Sequence, residues 1–459
     1  MKQLPGLLMV LCAAALMPAQ AQVPNKDGTL TPRGDAGRPG ESKPGVRWLP
    51  GLSITISPSL LFRSTRPGNG EIFEPGQLLV SWDDEAAARE GLAWLATQGL
   101  QPTETRALEQ LGLTLALFVL PDAGAAQRWR DELRRAQPQW TVDLNARAYP
   151  MQRDASAAPA NVPSAAPARL YALQMLGRPT AVAGTVPPRV GVVDAPLDAA
   201  LLTDDAARLW NGSRLELRNM LGVQDLPAAS THANAVALLM AGAPLDNGYA
   251  GAAPPLQLSW AVAMRRVGDE ASTNSWYLAL SLDWLLGREV QLINLSLGGA
   301  GDQILRHVVA RVLSRPVALL AAAGNRPDTA PVYPAAYPGV WAVTAVDAAG
   351  QVYERASRGN FISLAAPGVD LWVPDVASLL AAPPRLAGRY VSGTSFATAL
   401  ASATVARFPL AFWQLGGDAR KARLCALARP AAAADASTGC GVLRFDDAAW
   451  AAAAATRVP

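Results

Sequence analysis

The sequence predicts an α/β protein: a mostly parallel sheet covered by helices on both faces, preceded by a small α+β unit of ferredoxin-like βαββαβ order. Three observations carry this expectation. Beyond about residue 170, continuous runs of Val, Ile, Leu and Ala alternate with helical patterns, as strands buried on both faces require. Residues 75–150 read strand, helix, strand, strand, helix, strand. Between them, residues 151–169 are poor in large apolar side chains and dotted with Ala, Pro and Ser, the texture of an exposed, cleavable linker. A chain of 459 residues has room for two or three domains.

The N-terminus has Lys2, an apolar run from Leu7 to Leu16, and Ala19-Gln20-Ala21, which together fit a secretory signal cut after Ala21. A membrane span needs about 20 apolar residues. Pro18 and Gln20 interrupt this run first, so residues 1–21 read as a signal peptide and the chain as exported, periplasmic or extracellular, with no membrane anchor. Cys12 leaves with the signal, and the "LMVL" before it is a poor lipid-attachment sequence. Residues 22–74 are rich in Gly, Pro and charge around one apolar patch, "WLPGLSITISPSLLF", and read as linker.

In the small unit, "QLLVSW" reads as a strand. "DDEAAAREGLAWLATQG" reads as a helix, with Asp83, Asp84 and Glu85 in its first turn, Ala88, Leu92 and Leu95 on one face, and Gly99 as its stop. "TETRALEQ", a turn at Gly112 and the strand "LTLALFVLP" follow. The helix "DAGAAQRWRDELRRA" ends in Arg134 and Arg135, which suit the negative end of its dipole, and "WTVDLNARAYP" is the last strand. In residues 170–459 the expected strands are "RVGVVDA", "LQLSWAVAM", "VQLINLSLGG", "PVALLAAAGN" and "GVWAVTAVD", with helices "SWYLALSLDWLL" and "DQILRHVVARVL" between them. His307, in the second of these helices, reads as structural.

Composition excludes several functions. A net charge of +3 with 17% charged residues asks for neither nucleic acid nor an anionic membrane. Two histidines, no H-E-x-x-H, and two cysteines left after export argue against catalytic zinc, and scattered Asp and Asn do not define a calcium site. The chemistry asks for no cofactor. Cys425 and Cys440 form an even pair in a chain bound for an oxidising compartment, which suits one disulfide.

In open α/β sheets, active groups gather at the carboxyl ends of strands. Asp194 closes "RVGVVD", Asn325 ends "PVALLAAAGN", His232 opens the apolar helix "ANAVALLMAG", and Ser395 starts a helix of small residues in "YVSGTSFATALASATVA". Each alone has an ordinary structural explanation as turn, cap or packing. Together they supply a nucleophile, a base, a carboxylate to orient it and an oxyanion donor, once each, in the chain order Asp, His, Ser.

That order and its flanking words resemble the subtilisin-like serine proteases, from about Tyr171 to Trp450. "GTSFAT" around Ser395 is the most specific match; "AAAGN", "INLSLGG", "GAAPPLQLSWAVAM", "YPAAYPGVWAVTAVD", "AAPGVDLW" and the ending "GCGVLRFDDAAWAA", similar to the family's closing helix, fall in family order. The resemblance implies Ser395 as nucleophile, His232 as general base, Asp194 as its orienting partner and Asn325 as oxyanion donor. It implies a substrate cleft walled by Ser296, Leu297, Gly298 and Gly299, with Gly324 and Arg326 beside the primary specificity pocket. There a basic Arg326 would repel Lys or Arg on the acyl side of the cut. Protein or peptide substrates are implied. So is an inhibitory prodomain at 75–150, which would act as an intramolecular inhibitor and be released by a self-made cut between Tyr149 and Arg169. The sequence departs from the family pattern at Ala195-Pro196 after the aspartate, at Ala233-Asn234-Ala235 after the histidine, and at Ala399. None of these removes a proton-handling group. The rival reading is a non-catalytic or very slow binding protein that keeps the fold. A serine esterase of the α/β-hydrolase type is disfavoured, since that fold orders its triad Ser, acid, His and uses G-x-S-x-G.

Overall fold

The computed structural model describes residues 72–151, 171–177 and 186–445, apart from 211, 225, 253–254, 268–269, 382–386 and 431–436. The expected signal peptide, most of the linker before residue 75, the segment 152–169 and the closing helix after residue 445 lie outside these residues.

The N-terminal unit is β1 (Phe73–Trp82), α1 (Glu85–Thr97), β2 (Glu104–Leu108), β3 (Leu113–Val119), α2 (Ala123–Ala136) and β4 (Thr141–Pro150). Its strands pair antiparallel in the order β2-β3-β1-β4, the ferredoxin-like arrangement. Asp84 and Asp122 cap the two helices, each accepting from the amide three residues on at 2.7 Å. Helix α1 therefore starts at Glu85, later than its acidic run suggests. Leu78, Val80, Trp82, Leu95, Phe118, Leu133 and Leu144 form the core between sheet and helices. Strand β1 also begins earlier than expected, because Phe73 pairs with Ala146 and Glu74 is buried.

The larger unit continues with α3 (Tyr171–Leu176), β5 (Arg189–Asp194), β6 (Arg214–Asn219), α4 (Thr231–Ala241), β7 (Gln257–Val262), β8 (Arg265–Val267), β9 (Glu270–Asn274), α5 (Ser275–Gly287), β10 (Leu292–Leu295), β11 (Leu297–Gly299), α6 (Gln303–Leu313), β12 (Ala318–Ala322), β13 (Trp341–Val346) and β14 (Ile362–Pro367). It ends with β15 (Leu371–Pro374), α7 (Val376–Leu380), β16 (Gly388–Val391), α8 (Thr394–Ala406), α9 (Leu410–Trp413) and α10 (Gly417–Leu427). A seven-stranded sheet, in the order β14-β13-β12-β10-β5-β7-β6, is parallel throughout. Its inner strands are buried except at Arg189 and Gln257, the first residues of β5 and β7, and α4 and α8 pass through the core with every α8 residue buried. Strand β6 lies at an edge, so it alternates exposed and half-buried residues and carries Arg214, Glu216 and Arg218.

The two units share β4. Alternate residues Val142, Leu144 and Ala146 face the N-terminal core, while Asp143, Asn145 and Arg147 face the larger unit. Asn145 Oδ1 accepts from Trp276 N at 3.1 Å and Asp143 Oδ2 from Gln303 N at 2.8 Å, so β4 satisfies amides in the first turns of α5 and α6. His307 sits at this junction, its Nδ1 3.1 Å from Thr141 Oγ1 and its Nε2 3.2 Å from Asp83. Burial pushes the imidazole pKa down, against the charge of Asp83.

Cys425 and Cys440 are joined in a disulfide, with their Cα atoms 5.2 Å apart. Replacing both by Ser is expected to cost about 3 kcal/mol in chemical denaturation, the value for a loop of this size. Thiol labelling of denatured, unreduced protein beginning at Gln22 should find no reactive thiol; two per chain would contradict the bridge.

Candidate active site

Strand β5 delivers Asp194 to the carboxyl edge of the parallel sheet, and Ser230, the N-cap of α4, sets His232 beside it by accepting from His232 N at 3.2 Å. His232 Nδ1 lies 3.1 Å from Asp194 Oδ1, which also accepts from Ala195 N at 2.7 Å. Trp260 Nε1 donates to Ala195 O at 3.0 Å and holds the turn after the aspartate. The sequence departures help to build this corner: Ser230 N donates to Pro196 O at 2.9 Å, and Asn234 Oδ1 accepts from Asp198 N at 2.9 Å.

Ser395 is the second residue of α8, where the helix dipole favours negative charge. Its Oγ donates to Ser296 O at 2.8 Å, away from the imidazole, and Ser296 Oγ donates back to Ser395 O at 2.9 Å. Asn325 is oriented by Thr394, whose N and Oγ1 both donate to Asn325 Oδ1 at 3.0 Å. The preceding Gly324 has φ +110°, and a Cβ there would lie 2.5 Å from Ser357 Oγ, so only glycine makes this approach. Asp194, His232 and Ser395 are 0% exposed. His232 Nε2, Asp194 Oδ2 and Asn325 Nδ2 are buried and have no hydrogen-bond partner among the described residues.

What covers the site is the end of β4. Ala148, Tyr149 and Pro150 pair antiparallel with Gly299, Gly298 and Leu297 of β11, and Ala148 pairs with Thr273 of β9 on the other side. Met151 N donates to Ser296 O at 3.3 Å, and Met151 O accepts from Ser395 N at 3.2 Å. A Cβ built on Gly298 would lie 3.0 Å from Met151 Cε and 2.4 Å from Val332 Cγ1, so the methionine occupies a pocket walled by both residues. Arg326 is exposed, and its backbone N donates to Ser357 Oγ at 3.3 Å. Met151, Thr394 and Val332 are contacts that the sequence patterns did not single out; the extended "NARAYPM" running into linker was the available signal. Among the described residues no three His, Cys, Asp or Glu side chains converge as a metal site, and no helix is long and apolar enough to cross a membrane.

Residues 219–441 match the Subtilase family. Subtilisin of Bacillus pumilus is 32% identical over 174 residues, which cover 37% of this chain and 59% of that protein. The minor extracellular protease Epr of Bacillus subtilis (strain 168) is 33% identical over 129 residues, 27% of this chain and 20% of that one. Fervidolysin from Fervidobacterium pennivorans, described as a keratinolytic enzyme related to subtilisin, superimposes with a TM-score of 0.61 at 20% identity, over 84% of this chain and 62% of its own. The alignments span less than two thirds of each of these proteins. The subtilisin-like fold and the relation to subtilisin-like serine proteases expected from "GTSFAT" and "AAAGN" therefore hold.

A Cβ on Gly299 would lie 2.1 Å from Arg147 O and 2.9 Å from Ala148 Cα. Gly299→Ala, made with Ser395→Ala to keep the chain uncut, is therefore expected to pry β4 from β11 and speed hydrogen exchange of the Met151 amide about tenfold or more. Unchanged protection would contradict the pairing.

Proposed function

We propose that this chain, a subtilase relative, is an exported serine endopeptidase made as a self-processing precursor, with Asp194, His232 and Ser395 as its triad. The observation that carries the reading is the Met151 carbonyl held on the backbone N–H of Ser395, with buried, unpartnered nitrogens of His232 and Asn325 in the same site. Those are the donors and acceptors that peptide hydrolysis through an acyl-enzyme uses.

In this reading the Ser395 hydroxyl rotates from Ser296 O to His232 Nε2 and gives up its proton as Oγ attacks the Met151 carbonyl carbon. Asp194 holds the imidazole tautomer through Nδ1 and stabilises its cationic form. The oxyanion accepts from Ser395 N and Asn325 Nδ2. His232 then passes the proton to the amine of Gln152, the bond between Met151 and Gln152 breaks, and water attacks the acyl-enzyme with His232 again as base. The first substrate is thus the chain itself. After the cut, the N-terminal unit keeps its new carboxyl end in the cleft and inhibits until it leaves. Substrates are proteins or peptides that can lie extended between β9 and β11. An N-terminal signal carries the chain to the periplasm or beyond.

N-terminal sequencing should find Gln152 at the start of the mature wild-type chain. Ser395→Ala and His232→Ala should each stay uncut and lose nearly all hydrolysis of unfolded casein, with Asp194→Ala losing somewhat less. Asn325→Ala should lower kcat by about 10²–10³. Appreciable casein cleavage by Ser395→Ala would overturn the assignment.

A further inference from the structure

Helix α8 holds the Ser395 amide in place without a capping side chain. A Ser, Thr, Asp or Asn at an N-cap accepts from the second or third amide of its helix. In α8 the second amide is Ser395 N, and it donates to Met151 O at 3.2 Å; the N-cap is Gly393, which offers no side chain to compete for it. The first turn is held from the side instead. Ser402 lies seven residues, or two turns, beyond Ser395 and so on the same face of α8, and its Oγ donates to Asn294 Oδ1 of β10 at 3.0 Å. Asn294 Nδ2 donates to Ser296 Oγ at 2.9 Å, and Ser296 Oγ donates to Ser395 O at 2.9 Å. The bonds thus leave α8 at Ser402, pass through β10 and return to α8 at Ser395. Asn294, Ser296 and Ser402 are fully buried. The amide fixes the direction, because Nδ2 can only donate and the single proton of the Ser296 hydroxyl is left to go to Ser395 O. Ser296 is also where the extended chain meets the serine: its carbonyl accepts from Met151 N at 3.3 Å and from Ser395 Oγ at 2.8 Å.

Resting on the peptidase reading above, we propose that Asn294, anchored by Ser402, is a positioning residue for acyl transfer: by directing the Ser296 hydroxyl to Ser395 O, it sets the separation between Ser395 Oγ and the peptide carbonyl lying on Ser296. Asn294 acts through Ser296 and takes no part in the proton transfers. The backbone of Ser296 carries the chain to be cut, and its side chain grips the turn that carries the nucleophile, so one residue measures the gap between them. A misplacement of about 1 Å in such a geometry costs on the order of 100-fold in rate, and loosening one of its bonds costs part of that. The two ends of the amide divide the work. Oδ1 takes its height from Ser402, deep in α8, and Nδ2 passes it to Ser296. An ionised Asp at 294 keeps the shape and the bond from Ser402 but accepts where the amide donates. The Ser296 hydroxyl then turns to the carboxylate, and Ser395 O loses its donor.

The test compares mature enzymes made from full chains on a quenched peptide with Tyr-Pro-Met before the cut. Ser296→Ala and Asn294→Asp are each expected to lower kcat about tenfold, and Ser402→Ala about threefold, with KM within about twofold of wild type. The Asp loss should deepen as pH rises, since a protonated carboxyl still donates to Ser296 Oγ and an ionised one cannot, whereas the Ser296→Ala loss should not change with pH. In the Ser296→Ala background, Asn294→Asp and Ser402→Ala should each lower kcat no further, as residues acting through Ser296 require. For a variant that does not shed its N-terminal unit, the rate of the cut after Met151 in the intact chain, followed by mass, takes the place of kcat. Losses that multiply with that of Ser296→Ala, losses carried by KM, or wild-type kcat in both Ser296→Ala and Ser402→Ala would overturn the positioning role while leaving the peptidase reading intact. A wild-type enzyme that cuts neither itself nor the peptide would overturn both.

Discussion

Strand β4 is the element on which the arrangement depends, because its two faces belong to two different cores. Val142 and Leu144 complete the small unit, while Asp143 and Asn145 accept from first-turn amides of α6 and α5. Leaving such a buried polar group unpaired costs about 1–3 kcal/mol, so neither unit presents this surface to the other without the matching partner. The strand then continues past its own sheet and is hydrogen-bonded on into the cleft, ending at the amide of Ser395. Docking and occlusion are one interaction, since the strand that joins the two cores also runs on to the amide of the fully buried Ser395.

The site itself combines rigid support with unspent polar atoms. The corner around Asp194 and His232 is fixed by Trp260, Ser230 and Asn234, and the amide of Asn325 by Thr394. Among the described residues, His232 Nε2, Asp194 Oδ2 and Asn325 Nδ2 remain without hydrogen-bond partners within this frame. The Ser395 hydroxyl is turned to Ser296 O, and in the proposed peptidase reading one side-chain rotation brings it to His232.

The parallel sheet was legible because its strands are continuous apolar runs, the positions of Asp194 and Asn325 because each stands where such a run ends, and those of His232 and Ser395 because each opens a helix of apolar or small residues. Edge and hairpin strands were not: β6 carries three charges in six residues, and β8 and β9 are rich in polar groups, of which Arg265 and Asn274 reach Glu74 of the other unit. Glu74 reads as linker charge beside Gly and Pro, yet it is buried by Arg147 and Arg265, residues far away in sequence. The polar alternation of "VDLNAR" gives a strand with one apolar face, and nothing local says that the polar face is also covered. Met151 looks like the first residue of a linker. Its place depends on the register between β4 and β11, which close approach at Gly299 sets and no local pattern encodes.

The central claim is that a reactive serine waits behind the end of β4. Reaction of the full chain with a fluorophosphonate, followed by intact-mass analysis and peptide mapping, tests it most directly. The account predicts an adduct on Ser395 only in chains already cut after Met151, appearing as the N-terminal unit is released, with uncut chains unlabelled. An adduct on Ser395 in uncut chains with β4 still docked, or cut chains that have shed the N-terminal unit and stay unlabelled, would contradict it.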